Sequence, residues 1–214
     1  MTNIRAFLVD VYETLLAYDA DARFAALAGI AEVDPAAWRE NQLSLRGPRD
    51  RGEVSSAESF ARSLAACGAD PAPELVARLV RADRDFMRAY APLYDDAVPF
   101  LKELRSRDFA IALVSNCADS TRPLLGDLDL LSLADHAILS CEVRSAKPSP
   151  EIYRIALDAL GVSAEEAVMV DDQPGYLRGA VAVGVRGIQI DRGTERPDPA
   201  CTPVRSLLDI FALL

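Results

Sequence analysis

Lysine and histidine are almost missing from this 214-residue chain. Lys102 and Lys147 stand against 21 arginines, and His136 is alone. One histidine and four scattered cysteines, Cys67, Cys117, Cys141 and Cys201, without a CxxC pair, argue against a zinc centre. The same spacing argues against a disulfide framework, so the thiols are expected to be reduced and the setting cytoplasmic. No apolar run approaches the ~20 residues that span a bilayer. The N-terminal stretch is cut short by Asp10 and reads as a buried strand, not a signal peptide. Positive charge is also short: the net charge is -10 and the pI about 4.6. Such a chain repels phosphate backbones, and it offers no basic amphipathic face to an anionic membrane. A small-molecule substrate remains, and an anionic one must meet a locally positive site, a metal included.

Half of the residues are hydrophobic and 26% are charged, an ordinary globular balance. Five short apolar runs stop at a polar residue: Ile4 to Val9 at Asp10, Phe109 to Val114 at Ser115, Ala137 to Leu139 at Ser140, Ala167 to Val170 at Asp171, and Val185 to Ile190 at Asp191. Their near-continuous apolar character suits strands buried on both faces of a parallel sheet. Helical patterns lie between them at Val98 to Arg107, at Pro150 to Leu160 (with Ser149 as N-cap and Gly161 as stop) and at Tyr176 to Val183. Alternation of this kind predicts an α/β doubly wound, Rossmann-like fold, whose ligands gather at the carboxyl ends of the strands. From Leu16 to Pro92 no strand is expected. Helices are predicted near Asp21 to Ala31, Pro35 to Leu45, Ser56 to Cys67 and Pro73 to Tyr90, with a turn-rich Arg46 to Gly52 between the second and third. Thr194 to Pro203 reads as irregular and precedes a short final helix. His136 opens an apolar strand and is expected to be packed or at an edge.

Four segments carry chemistry, three at strand ends and one in the loop before a helix. Asp10, in Asp10-Val-Tyr12-Glu-Thr14, is a candidate nucleophile once its charge is stabilised. Ser115 and Asn116 follow the second long strand, where a hydroxyl and backbone amides can bind an oxyanion. Lys147, in Ala-Lys147-Pro-Ser-Pro, is a lysine kept where arginine is the habit, and offers a point charge to an anionic transition state. Asp171 and Asp172 are adjacent carboxylates that repel each other unless a cation is near, and hard oxygen ligands suit Mg²⁺. Read singly, each is also explained as a cap, a turn or a solvated charge.

Their order, Asp-x-x-x-Thr, then Ser, Lys-Pro and Asp-Asp, resembles the haloacid dehalogenase superfamily of hydrolases over essentially the whole chain. The resemblance implies a core of residues 1–15 and 93–214 and an inserted helical C1-type cap of residues 16–92. It implies catalytic roles for Asp10, Tyr12, Thr14, Ser115 and Lys147. It also implies Mg²⁺ held by Asp10, the Tyr12 carbonyl, Asp171 and Asp172. Two departures divide the expected reaction. Tyr12 stands where superfamily phosphatases carry a second aspartate; tyrosine there is typical of 2-haloacid dehalogenases, although Glu13 replaces their glycine. Trp38-Arg39-Glu-Asn-Gln42-Leu43 likewise resembles the dehalogenase segment that supplies a substrate-binding arginine, here Arg39. Yet the dehalogenases work without metal and carry Ser-Ser-Asn where this chain has Asp171-Asp172. Three readings follow: a Mg²⁺-dependent phosphohydrolase of a small phosphorylated metabolite, a metal-independent 2-haloacid dehalogenase, or an impaired binding protein of the same fold. Monomer and homodimer both stay open.

Overall fold

The structure, a computed structural model, describes residues 4–193, 196, 198 and 201–214. Strand β1 (Ala6–Val9) is followed by α1 (Ala20–Ala31), α2 (Pro35–Ser44), α3 (Arg46–Asp50), α4 (Ser56–Ala66) and α5 (Pro73–Tyr90). Then come α6 (Ala97–Ser106), β2 (Ala110–Ser115), α7 (Thr121–Asp127), β3 (His136–Leu139), α8 (Ser140–Val143) and α9 (Pro150–Leu160). The chain continues through β4 (Ala167–Asp171), α10 (Pro174–Ala182), β5 (Arg186–Ile190) and β6 (Thr202–Val204). Short 3-10 turns lie at Leu130–Leu133, Ala164–Glu166 and Leu207–Ala212.

The six strands form one parallel sheet in the order β3-β2-β1-β4-β5-β6. Successive side chains of a strand point to opposite faces, so each apolar run is shared between two layers. Phe7, Val9, Ile111, Leu113, Val168 and Val170 enter one cluster, beneath α6 and α7. Ala6, Leu8, Ala112, Val114, Ala167 and Met169 enter the other, beneath α9 and α10. Both faces are therefore dry, which is why these runs are continuous and not alternating. The sheet order reverses at β1, whose two neighbours, β2 and β4, come later in the chain. That is the switch point where a crevice opens. Val9 pairs with Leu113 on one side and Val170 on the other, so Asp10 and Asp171 leave adjacent strands side by side.

The inserted helices carry a core of their own, built on Phe24, Leu27, Trp38, Phe60, Leu64 and Leu79, with Trp38 and Phe60 stacked. Asp19, Asp34 and Ser55 cap α1, α2 and α4 by accepting first-turn N–H bonds. The helical layer is tied to the sheet domain by Ser56, whose N–H and hydroxyl both donate to Asp119, and by Arg84 to Asp127 at 3.0 Å. Among the described residues no helix is long and apolar enough to cross a membrane.

Three expectations are corrected. The Arg46–Gly52 segment is not merely turn-rich: Arg46–Asp50 forms a five-residue helix, because Pro48 falls in its first turn, where no N–H is needed. Gly52 then takes a φ of +64° and lies so close to Cys141 that a β-carbon would meet its carbonyl oxygen. In the C-terminal stretch, Thr202–Val204 pairs with β5 as an edge strand, where proline is tolerated because one side of the backbone is free. The rest of the expected irregular run lies mostly outside the described residues. The final helix is a 3-10 turn. Ser149 stands at the N-cap of α9 without a side-chain cap bond, while Gly161 ends that helix at φ +65°. His136 is exposed at the start of β3, the edge strand opposite β6.

Two helical glycines have opposite surroundings. A β-carbon on Gly179 in α10 would lie 2.6 Å from the Pro148 carbonyl oxygen and 2.8 Å from its Cβ, whereas one on Gly29 in α1 meets nothing within 4 Å. Gly29→Ala should therefore stabilise the protein by about 0.5–1 kcal/mol. Gly179→Ala should destabilise it by about 1–3 kcal/mol, since backbone must move. Urea denaturation of both variants checks the pair; changes of the same sign would refute the packing of α10 against residue 148.

Candidate active site

Lys147 is the centre of the site. Its Nζ donates to Asp10 Oδ1 and Asp171 Oδ2, each at 2.6 Å, and its side chain is fully buried. The loop before α9 delivers it, and Asn116 holds that loop: Asn116 Oδ1 accepts from Lys147 N at 2.7 Å, and Asn116 Nδ2 donates to Lys147 O at 2.8 Å. The ammonium also lies 4.9 Å from the ring centroid of Tyr176, whose carbonyl accepts from the Tyr153 hydroxyl. Flanking carboxylates keep the lysine charged and raise it above its ordinary value, against the opposing effect of burial.

Asp10, Asp171 and Asp172 have carboxylate oxygens all within 4.8 Å of one another, and all three are buried. Asp171 Oδ1 accepts from Gln173 N, and Asp172 from the Gln173 side chain. One ammonium does not balance three acids. Burial pushes Asp171 up to about 8 and Asp172 up to about 7, with the neighbouring Asp10 charge adding to both. The cluster thus has the donor type, spacing and excess negative charge that suit a hard divalent cation. Two buried hydroxyls of the same loops, Thr14 Oγ1 and Ser115 Oγ, have no hydrogen-bond partner among the described residues, as expected where a ligand oxygen or water belongs.

Strand ends and loops beyond the motifs brace this group. Glu13 has a φ of +59°, in the left-handed region. Its carboxylate offsets the cost by accepting from Tyr18 N and from the Tyr94 hydroxyl. Arg192, just past β5, donates to the Thr14 carbonyl at 2.8 Å, is gripped by both oxygens of Asp96, and stacks 3.9 Å from the Tyr94 ring centroid. No sequence signal marks this brace, because its partners are far apart in the chain and belong to no motif.

Tyr12 turns its hydroxyl to Thr121 Oγ1 at 2.8 Å and packs its ring against Tyr18. Burial raises its phenol above the usual value, so it stays protonated. It forms part of a cavity of about 140 Å³ between the helical layer and the loop at residues 116–121. Arg23 and Arg49 line this cavity from above. Arg23 is ion-paired to Asp83 at 2.5 Å, and Arg49 donates to Gln42 Oε1 at 2.8 Å. Arg39 is not brought to this place. It is exposed, paired to Asp21 at 2.7 Å, on the rim of a separate shallow depression. The residue that follows Trp38 on α2 points outward because Trp38 itself fills the helical core. Cys117, beside Asn116, is a free buried thiol that burial and Cys141 hold well above its usual value.

The chain is similar to known proteins in sequence and in fold. Residues 4–184 match the family model for haloacid dehalogenase-like hydrolases. A phosphoserine phosphatase of Thermus thermophilus is 40% identical over 145 residues, covering 65% of this chain and 58% of that protein's length. An (S)-2-haloacid dehalogenase of Burkholderia cepacia is 27% identical over 230 residues, covering 99% of this chain and 95% of the relative. A solved dehalogenase structure superposes with a TM-score of 0.71 at 26% identity, covering 100% and 98% of the two chains. With most of its length matched in both sequence and fold, the chain belongs to the haloacid dehalogenase-like hydrolases.

Proposed function

We propose that this hydrolase is a Mg²⁺-dependent phosphohydrolase of a small phosphorylated metabolite, with residues 16–92 acting as the cap. The observation that carries the reading is the acidic trio: Asp10 and Asp171 each bond one ammonium at 2.6 Å, and Asp172 crowds against them with a carboxylate oxygen within 4.8 Å of theirs. An anionic substrate entering this group without a second cation would be repelled. Asp10, Asp171 and the Tyr12 carbonyl would hold the ion, with Asp172 beside them. The metal, when bound, supplies charge neutralisation for the phosphoryl oxygens.

The chain's own residues do the rest. Asp10 attacks phosphorus in line with the ester oxygen; the new carboxylate–phosphorus bond forms as the ester bond breaks, and the leaving alkoxide takes a proton from water. A second water then attacks phosphorus, releasing phosphate and restoring Asp10. Lys147, held by Asn116, steadies the nucleophile's charge and then the phosphoryl oxygens. Ser115 and Thr14 offer their unpartnered hydroxyls to the transferred group. Tyr12 cannot replace the acid–base aspartate, since its phenol is neutral and bonded to Thr121. Turnover of esters with poor leaving groups is therefore expected to be slower by about 10²–10⁴ than in an enzyme with that acid. The similarity to phosphoserine and glyceraldehyde 3-phosphate phosphatases supports phosphoryl chemistry.

A second reading rests on Tyr12 and on the near full-length similarity to an (S)-2-haloacid dehalogenase. In it Asp10 displaces halide from carbon, and water hydrolyses the resulting ester. Chloride release from 2-chloropropionate in the presence of EDTA would favour it over the first.

On the phosphohydrolase reading, p-nitrophenyl phosphate is turned over with Mg²⁺ and not with EDTA. Asp10→Asn should lower kcat by at least about 10³-fold while the fold persists. Equal rates with and without metal would refute the proposal.

The acids also set a pH dependence. Their folded-state values of about 8 and about 7 exceed the ordinary 3.8, so the folded chain binds the extra protons. Stability from this source falls as pH rises between about 5 and about 8. In EDTA the melting temperature should decline over that window, less steeply in Asp172→Asn, and Mg²⁺ should restore it most at the alkaline end. A decline equally steep in Asp172→Asn would show that the trio is not its cause.

A further inference from the structure

The cavity above Tyr12 contains a buried cation without an anion. Arg49 is 7% exposed. It gives Nη1 to Gln42 Oε1 and Nη2 to the Gln42 carbonyl, both neutral, and its buried Nε has no partner. The two other arginines of the cavity are matched: Arg23 with Asp83 at 2.5 Å and Arg46 with Asp50 at 3.7 Å. Among the described residues Arg49 forms no ion pair. Gln42 is itself fixed, donating to Ser63 Oγ at 2.8 Å, so the guanidinium is held in place and not left to swing to solvent. Burial and the charge of Arg23 lower its affinity for its proton, yet an arginine stays charged at any working pH. A guanidinium kept dry and unpaired is unfavourable unless an anion completes the site.

The cavity narrows the choice of anion. Tyr12, Phe24, Leu43 and Met87 give it apolar walls, which suit a short carbon chain beside the guanidinium. Tyr12 and Asn116 wall it on the side of the catalytic loops, two residues beyond Asp10 and one beyond Ser115. Arg49 thus faces a cavity that borders the loops carrying Asp10 and Ser115. A guanidinium edge matches a carboxylate in two parallel hydrogen bonds.

We infer that the substrate is a small phosphomonoester bearing a carboxylate on a short carbon chain, and that Arg49, not Arg39, grips that carboxylate. The phosphoryl end of this inference rests on the phosphohydrolase reading; the carboxylate grip does not. Arg49 is thus a specificity residue for the group that leaves.

The first test compares 2-phosphoglycolate with ethyl phosphate in the presence of Mg²⁺. The native enzyme should favour the carboxylate by about tenfold or more in kcat/KM, mostly through KM. Arg49→Met should bring that ratio towards one, and Arg49→Lys should retain part of it. Equal use of both esters by the native enzyme, or an unchanged ratio in Arg49→Met, would overturn the inference. A second measurement needs no turnover: potassium lactate, against potassium chloride at equal ionic strength, should raise the melting temperature of the native protein and not of Arg49→Met. If neither ester nor p-nitrophenyl phosphate is hydrolysed, the phosphohydrolase reading fails and the lactate shift alone decides for or against the grip. If Arg49→Met does not fold by circular dichroism, Arg49→Lys and the native ester ratio still decide.

Discussion

One ammonium between two carboxylates organises the reactive end of this molecule. Lys147 bonds Asp10 from β1 and Asp171 from β4, neighbours that would otherwise repel each other in a dry crevice. The attraction is strong because water is excluded, and the same exclusion makes each unpaired charge costly. The packing around it serves to keep this arrangement: Asn116 ties down the lysine's backbone, and the close approach of Gly179 to Pro148 seats α10 against the same loop. The remaining negative charge is what reserves room for a metal.

The acids and the arginines sit on different layers of the molecule. The sheet positions the acids on strand ends whose register is fixed by hydrogen bonds, and the loop before α9 brings Lys147 to them. The helical layer supplies the arginines, held by side-chain networks that do not touch the acids. Tyr12 belongs to both, with its backbone in the catalytic loop and its ring in the cavity wall. A tyrosine there exchanges acid–base capacity for a shaped wall, and the sequence's mixed resemblance follows from that exchange.

Much of the fold was legible because parallel strands buried on both faces write continuous apolar runs, and each run here stopped at the residue that faces the crevice. Asp10, Ser115 and Asp171 were readable for that reason, and Lys147 because lysine is scarce in this chain. The cap arginines were not readable in the same way. On a helix surface Arg39 and Arg49 carry the same local signal, and only tertiary packing turns one to solvent and encloses the other. Edge strand β6 was hidden by Pro203, a residue that ordinarily argues against a strand. Glu13 in a left-handed conformation was invisible too, since its compensation comes from Tyr94, remote in sequence.

Asp96 links the reactive loop to the end of the chain. It grips Arg192, which holds the Thr14 carbonyl, and it also accepts from the Ser206 hydroxyl and the Leu207 N–H. Disturbing the 3-10 turn at Leu207–Ala212 would therefore act on the turn beside Asp10, although the two segments lie far apart in the chain.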